Sequence, residues 1–278
     1  MKKILFFALV AVIALSSCSK CGKNGNPGND STLCQFKNIK LNKMFAYCDE
    51  EGDTSYFDNS FAALWPEVIN GKPCTELQQA LLRQMTDSAE LNQLELAIDY
   101  LIGPGSYPDY DSQRMVPVNT VNDDEGKLST SEMKLNMESM TDRLLTYHVS
   151  TYAYMAGGAH GIYANNYVTY DLKRNKVVAL NDIVADTTLL RKAILQAIKH
   201  EYDYGKDDLF IPDNGLLPLP TDFLIKDNVL HAVYQVYEIA SYAQGCIDAP
   251  IYPYLLKPEV TKRLFTPYGL ELTDYMTE

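Results

Sequence analysis

Two side chains in the second half of the chain have the chemistry to move a proton. His160 sits in the knot Gly157-Gly158-Ala159-His160-Gly161, and Glu238 sits in Tyr237-Glu238-Ile239. An imidazole and a carboxylate sharing a substrate position could act as base and acid on a wall glycan or peptide. A nucleophile or an activated water would have to stand beside them, and no G-x-S-x-G, H-E-x-x-H or P-loop accompanies either one. The other reading of His160 is structural, its ring nitrogens satisfying backbone groups in a bent turn. The other reading of Glu238 is an outward-facing strand residue. His148, His200 and His231 are scattered without metal-ligand spacing, so neither a metal nor a cofactor is expected. In Asn122-Asp123-Asp124-Glu125-Gly126 a calcium loop fails on register. With Gly126 as sixth position the first falls on Val121, which has no side-chain oxygen.

Tyrosines supply a different chemistry. There are twenty of them against one tryptophan. Tyr152 and Tyr154 share a strand face by two-residue alternation. Tyr163, Tyr167 and Tyr170 follow the knot, and Tyr242 follows Glu238. Such rings can anchor a recognition surface or pair across a sheet. The candidate binding residues are therefore Tyr152, Tyr154, Gly158, His160, Tyr163, Glu238 and Tyr242.

These residues need elements to position them. The stretch Tyr147–Asp171 sets runs rich in tyrosine, valine and threonine on either side of the knot, so a strand, a glycine bend and a returning strand over Ile162–Leu172 are expected. Phe36–Tyr47 and Thr54–Leu64 form an earlier strand pair. Leu77, Leu81 and Met85 share one helix face, with Thr75 as its cap and Gln78 reaching back. A second helix, capped by Asp87 and Glu90, carries Leu91, Leu94, Ile98 and Leu101. Glu132–Met140 and Arg143–Met155 are long strands. Asp186 caps a helix whose stripe is Leu189, Leu190, Ala193, Ile194, Ala197 and Ile198. Asp227-Asn228 marks a two-residue hairpin between Phe223–Ile225 and Val229–Ile239, and a short helix spans Glu259–Phe265. Hairpin-linked strands mixed with helices predict an α+β fold. It divides into two small domains, each an antiparallel sheet packed with one or two helices, at 34–130 and 131–278.

Residues 1–17 read as an export signal: Lys2 and Lys3, then an apolar run from Ile4 to Leu15, too short to span a bilayer. Leu15-Ser16-Ser17-Cys18 resembles a lipobox, which makes Cys18 the acylated first residue of the mature chain. Residues 18–33 are a Gly/Asn/Ser-rich tether. The expected location is a membrane-anchored envelope lipoprotein, in the outer membrane facing the periplasm, with surface exposure an alternative. Net charge is −12, and two units more negative once Lys2 and Lys3 leave. That excludes nucleic acid as a partner and favours a basic one. Five cysteines besides Cys18, namely Cys21, Cys34, Cys48, Cys74 and Cys246, leave disulfide pairing open in an oxidising compartment.

Three ordered segments carry a family resemblance. They are Gly157–Gly161, then Val178-Ala179-Leu180-Asn181-Asp182-Ile183, then Tyr237–Gly245 with Tyr252-Pro253-Tyr254-Leu255-Leu256-Lys257-Pro258 behind it. Together they resemble the extracytoplasmic lysozyme-binding domain of RsiV-type anti-sigma factors, also found ahead of the catalytic domain in PdaC-type peptidoglycan deacetylases. A smaller α+β domain often precedes it. The resemblance covers about Tyr147 to Phe265. It implies a non-catalytic binding module for a basic wall hydrolase such as lysozyme, or for peptidoglycan. Neither the membrane helix of the one type nor the deacetylase domain of the other is present here, so sigma binding and deacetylation do not carry over. The remaining alternatives are a hydrolase of cell-wall glycan or peptide, and a structural envelope lipoprotein.

Overall fold

A computed structural model describes residues 34–121 and 126–273. The export segment, Cys18, Cys21, the tether and most of the Asn122–Gly126 turn lie outside the described residues.

The chain opens with two long strands, β1 (Cys34–Cys48) and β2 (Thr54–Ile69), paired antiparallel along their whole length apart from a bulge at Gln35/Phe36. Strand β3 (Lys72–Pro73) doubles back on β2. Helix α1 (Thr75–Thr86) buries Leu77, Leu81, Leu82 and Met85, the face its spacing predicts. Its cap position is Cys74, whose side chain makes no capping bond, rather than Thr75. Asp87 does not start the next helix; it ends α1 in a left-handed conformation with φ 47°. Helix α2 (Leu94–Leu101) therefore begins later than expected, with Leu91 outside it. The cap pattern Asp87/Glu90 misled because a short aspartate side chain also suits the left-handed end of a helix.

After β4 (Val116–Val118) come β5 (Leu128–Met140), β6 (Leu144–Tyr154) and β7 (Ile162–Asp171), a meander close to the expected bounds. Strand β8 (Lys176–Val177) adds two residues, and α3 (Leu180–Ile183) follows. The large sheet runs β4-β1-β2-β5-β6-β7-β8. Its strands are antiparallel except β2 and β5, which run parallel. The long connection through α1 and α2 makes that crossover possible. Strands from both sides of residues 130 and 131 thus share one sheet.

Helix α4 (Thr187–Tyr202) is capped by Asp186, whose Oδ1 accepts from Thr188 N–H and Leu189 N–H at 2.9 and 3.0 Å. The second sheet is β11-β10-β9, with β9 (Asp222–Lys226), β10 (Val229–Tyr234) and β11 (Ile247–Ile251). Asp227 and Asn228 both hold positive φ, 50° and 62°, as a tight hairpin turn requires. Helices α5 (Pro258–Leu264) and α6 (Pro267–Thr273) close the fold. The molecule is α+β, as predicted, with a mixed rather than purely antiparallel main sheet.

Two main cores result. One packs Phe61, Trp65, Leu135, Leu145 and Tyr147 of the large sheet against α1 and α2. The other packs Leu190, Ile194 and Ile198 of α4 against Leu230, Tyr234 and Ile247 of the small sheet. Where the two sheets meet, side chains replace a missing strand. Gln235 accepts from Asn165 N–H (2.8 Å) and donates to Asn165 C=O (2.7 Å), and Asp222 accepts from Tyr167 N–H (3.0 Å). The open edge of β7 is thereby satisfied.

Candidate functional site: an aromatic ridge at the end of two strands

The glycine knot is a turn between β6 and β7. Gly158 N–H donates to Met155 C=O at 2.9 Å, and Gly157 takes φ 80°. Ser129 Oγ accepts from Ala156 N–H at 3.0 Å and ties the turn to β5. Gly158 lies so near Met155 C=O that a Cβ there would sit 2.9 Å from it, with the Tyr154 ring 3.9 Å away. Gly161 is under the Tyr152 ring, and a Cβ at that position would collide with it. Only glycine lets the ring lie flat across the backbone.

His160 is exposed at the crown of the turn. Its ring stacks on Tyr242 with centroids 4.0 Å apart and planes at 25°. Its Nδ1 lies 2.9 Å from Gly161 C=O. A carbonyl only accepts, so Nδ1 carries the proton and Nε2 is left to accept. Tyr242 O–H donates to the same carbonyl at 2.7 Å. Tyr163 meets Tyr242 edge-on at 5.9 Å, and Tyr237 lies 5.6 Å from it. Gly245, at φ 74°, passes so near Tyr163 that a Cβ would be 3.2 Å from its hydroxyl. Loss of water pushes the Tyr242 phenol above its ordinary pKa, and the phenols of Tyr163, Tyr152 and Tyr237 add to the shift. The ridge offers hydroxyls and ring faces.

The structure gathers Tyr152, Gly158, His160, Tyr163 and Tyr242 at one place, with Tyr154 beside Gly158. Tyr237, which sequence reasoning did not single out, belongs with them and is half exposed at 52%. Its φ of 67° belongs to a turn closed by Glu238 N–H to Gln235 C=O at 3.1 Å. No residue type signalled that turn, since tyrosine rarely takes positive φ. Tyr170, by contrast, is core at 3% exposure, and Tyr167 stacks on His148 at 4.9 Å.

Glu238 is not an outward strand residue. Strand β10 stops at Tyr234, and the Glu238 carboxylate folds back to accept from Gln235 N–H at 2.8 Å. Burial raises its pKa, Asp222 adds to that, and the hydrogen bond from Gln235 opposes it. Among the described residues no hydrogen bond or ion pair joins His160 to Glu238 or to any other carboxylate, and no group of three or more His, Cys, Asp or Glu residues is placed to hold a metal. Cys34, Cys48, Cys74 and Cys246 are all free thiols in this structure. No helix among the described residues is long and apolar enough to cross a membrane. The arrangement presents stacked rings and hydroxyls for binding.

Residues 168–252 match the model of a family described as a protein of unknown function, DUF3298. The stretch takes in Tyr237, Glu238 and Tyr242 and stops short of the glycine knot. The fold resembles the crystal structure of a DUF3298 family member from Bacteroides fragilis. That likeness has TM-score 0.58 and 15% identity, and covers 88% of this chain and 98% of the other. A DUF3298 family protein from Pseudomonas aeruginosa PAO1 is more distant, at TM-score 0.49 and 15% identity over 84% of this chain and 95% of the other. No curated protein matches.

Proposed function

We propose that this chain is a non-catalytic binding module of the bacterial cell envelope, anchored by acylated Cys18 in the outer membrane and facing the periplasm. Its recognition face is the ridge of Tyr152, His160, Tyr163, Tyr237 and Tyr242. The observation that carries the reading is the stacked His160–Tyr242 pair among exposed tyrosine rings. Large rigid aromatics with few rotamers are the residues that dominate protein interfaces. The partner of choice is a basic wall hydrolase of the lysozyme type. Support comes from the net charge of −12, from the motif resemblance to RsiV-type domains, and from the family match over residues 168–252, which takes in Tyr237 and Tyr242. A hydrolytic role for His160 is disfavoured because its ring is held by Tyr242 and a main-chain carbonyl, with no acid or nucleophile bonded to it.

The test is lysozyme binding by the mature chain carrying Cys18→Ser, at low and high salt. Affinity is expected to fall as salt rises, because complementary charge steers the encounter. Tyr242→Ala should weaken binding by about thirtyfold, the effect of losing an aromatic anchor. No binding at low salt removes this partner. Turnover of a muropeptide that His160→Ala abolishes would overturn the non-catalytic reading.

A further inference from the structure

Among the described residues, no helix covers the face of the large sheet turned away from α1 and α2 across β1, β2 and β5. Residues directly opposite one another on neighbouring strands share a face. One such row runs Asn42, Ser60, Glu132, Tyr152 and Tyr163 across five strands. Beside it a second row runs Lys40, Ala62, Lys134 and Ser150. Between the rows lies an open groove of about 420 Å³.

From these rows we infer that the groove binds a linear, hydroxyl-rich glycan chain that lies across the strands and ends on the ridge. Its floor is made of short side chains, Ser60 and Ala62, flanked by the methylene stems of Lys40 and Lys134. A sugar ring has the matching shape, with a C–H face to lay on an apolar floor and hydroxyls round its rim for polar tips. Charge supports the same ligand. Lys134 pairs with Glu132, and Asn42 donates to Asp58, which leaves the groove with a single uncompensated cation within a chain of net charge −12. Lys40 makes no ion pair among the described residues and is left to donate to a sugar oxygen. A nucleic acid would need a basic stripe, which these rows lack. A protein partner would need a large apolar anchor in the groove. Large rings stand at its end, Tyr152 and Tyr163 with Tyr154 two positions along on the same face, placed to stack on a terminal sugar. From β1 to β6 the path is about 14 Å, three strand spacings, which suits a short oligosaccharide.

The experiment is titration of the mature chain with chitohexaose, cellohexaose and maltohexaose, followed by calorimetry and by chemical shifts of Ser60 and Ala62. At least one hexaose is expected to bind. Ala62→Arg should fill the groove and weaken that binding by about tenfold or more in a chain that still unfolds cooperatively, at a somewhat lower Tm because the new cation stands between Lys40 and Lys134. Tyr152→Ala should weaken it similarly. Lysozyme affinity of Ala62→Arg should stay within about twofold, since position 62 is off the ridge. Failure of all three hexaoses up to about 10 mM overturns the inference, as does an Ala62→Arg chain that binds them like the parent. Hexaose failure with intact lysozyme binding sinks this inference alone. Hexaose binding with no lysozyme binding sinks the proposed protein partner alone.

Discussion

Arg143→Ala is expected to lower the unfolding free energy by about 3–5 kcal/mol, the usual cost of stripping one partner from a buried ion pair. Asp171 is fully buried, at 0% exposure. It takes Arg143 Nε at 3.0 Å, the Tyr268 hydroxyl at 2.7 Å, and the N–H groups of Lys173 and Arg174 at 2.8 Å each. Without the guanidinium, the buried carboxylate keeps its bonds from Tyr268 and the two N–H groups but loses those from Arg143, and its nearest remaining cation is Arg174 at 3.9 Å. Arg143 also reaches Glu271 at 2.7 Å, and the Arg174 guanidinium lies 3.6 Å over the Tyr268 ring, so α6 is pinned to β7 through this cluster. Glu271→Ala should cost far less, because that carboxylate is half exposed and its ion pair is screened by water. Urea unfolding of the two variants measures the contrast. Equal effects would show that the buried carboxylate is not the centre of the network.

The same cluster sets an acid limit. Burial alone would raise the Asp171 pKa, but hydrogen bonds from Arg174 N–H, Tyr268 and Arg143 outweigh it and hold the carboxyl below its ordinary value. Its stabilisation is complete above the unfolded pKa of about 4 and disappears as pH falls through the lower folded value. Asp222 and Glu238 carry the opposite sign. Burial raises both, so the stability linked to their protonated forms is lost as pH rises from about 4 through their folded values.

Gln235→Leu is expected to cost about 2–4 kcal/mol and to weaken ligand binding at the ridge as well. Leucine fills similar space but leaves Asn165 N–H and C=O without their partners, at about 1–3 kcal/mol for each buried group. The side-chain bonds of Gln235 to Asn165 also fix the first residue of the turn, closed by Glu238 N–H to Gln235 C=O, that presents Tyr237 beside Tyr242. Hydrogen exchange at the Asn165 amide should quicken well before global unfolding. Gln235→Glu retains the acceptor for Asn165 N–H but sets a carboxylate against Asn165 C=O, so it should recover little. A leucine variant with parental stability and an unchanged Asn165 amide would mean that the sheets are held by apolar packing alone.

Much of the framework is readable from local chemistry. Asp186 before a broad apolar stripe places α4, because a short acceptor side chain meets the free N–H groups of a first helical turn. Asp227-Asn228 places a hairpin, because those residues tolerate positive φ. The candidate ridge was legible in part. Alternation puts Tyr152 and Tyr154 on one face, and the glycine knot marks the bend, since both depend on residues close in sequence. Tyr237 and Gln235 were not legible. Tyr237 adopts a conformation against its type, and the partner of Gln235 is Asn165, brought to it by the docking of one sheet on the other.

By itself the sequence determined the longer strands and helices, the α+β class, the acidic charge and the turn that carries His160. Each of these follows from short-range sterics, periodicity or composition. Only the tertiary structure decided that β2 runs parallel to β5, that Glu238 folds inward, and that Tyr152, His160, Tyr163, Tyr237 and Tyr242 form one surface. Those outcomes depend on contacts between residues up to about eighty positions apart, as between Gly161 and Tyr242, where packing and the satisfaction of buried backbone groups outweigh any local preference.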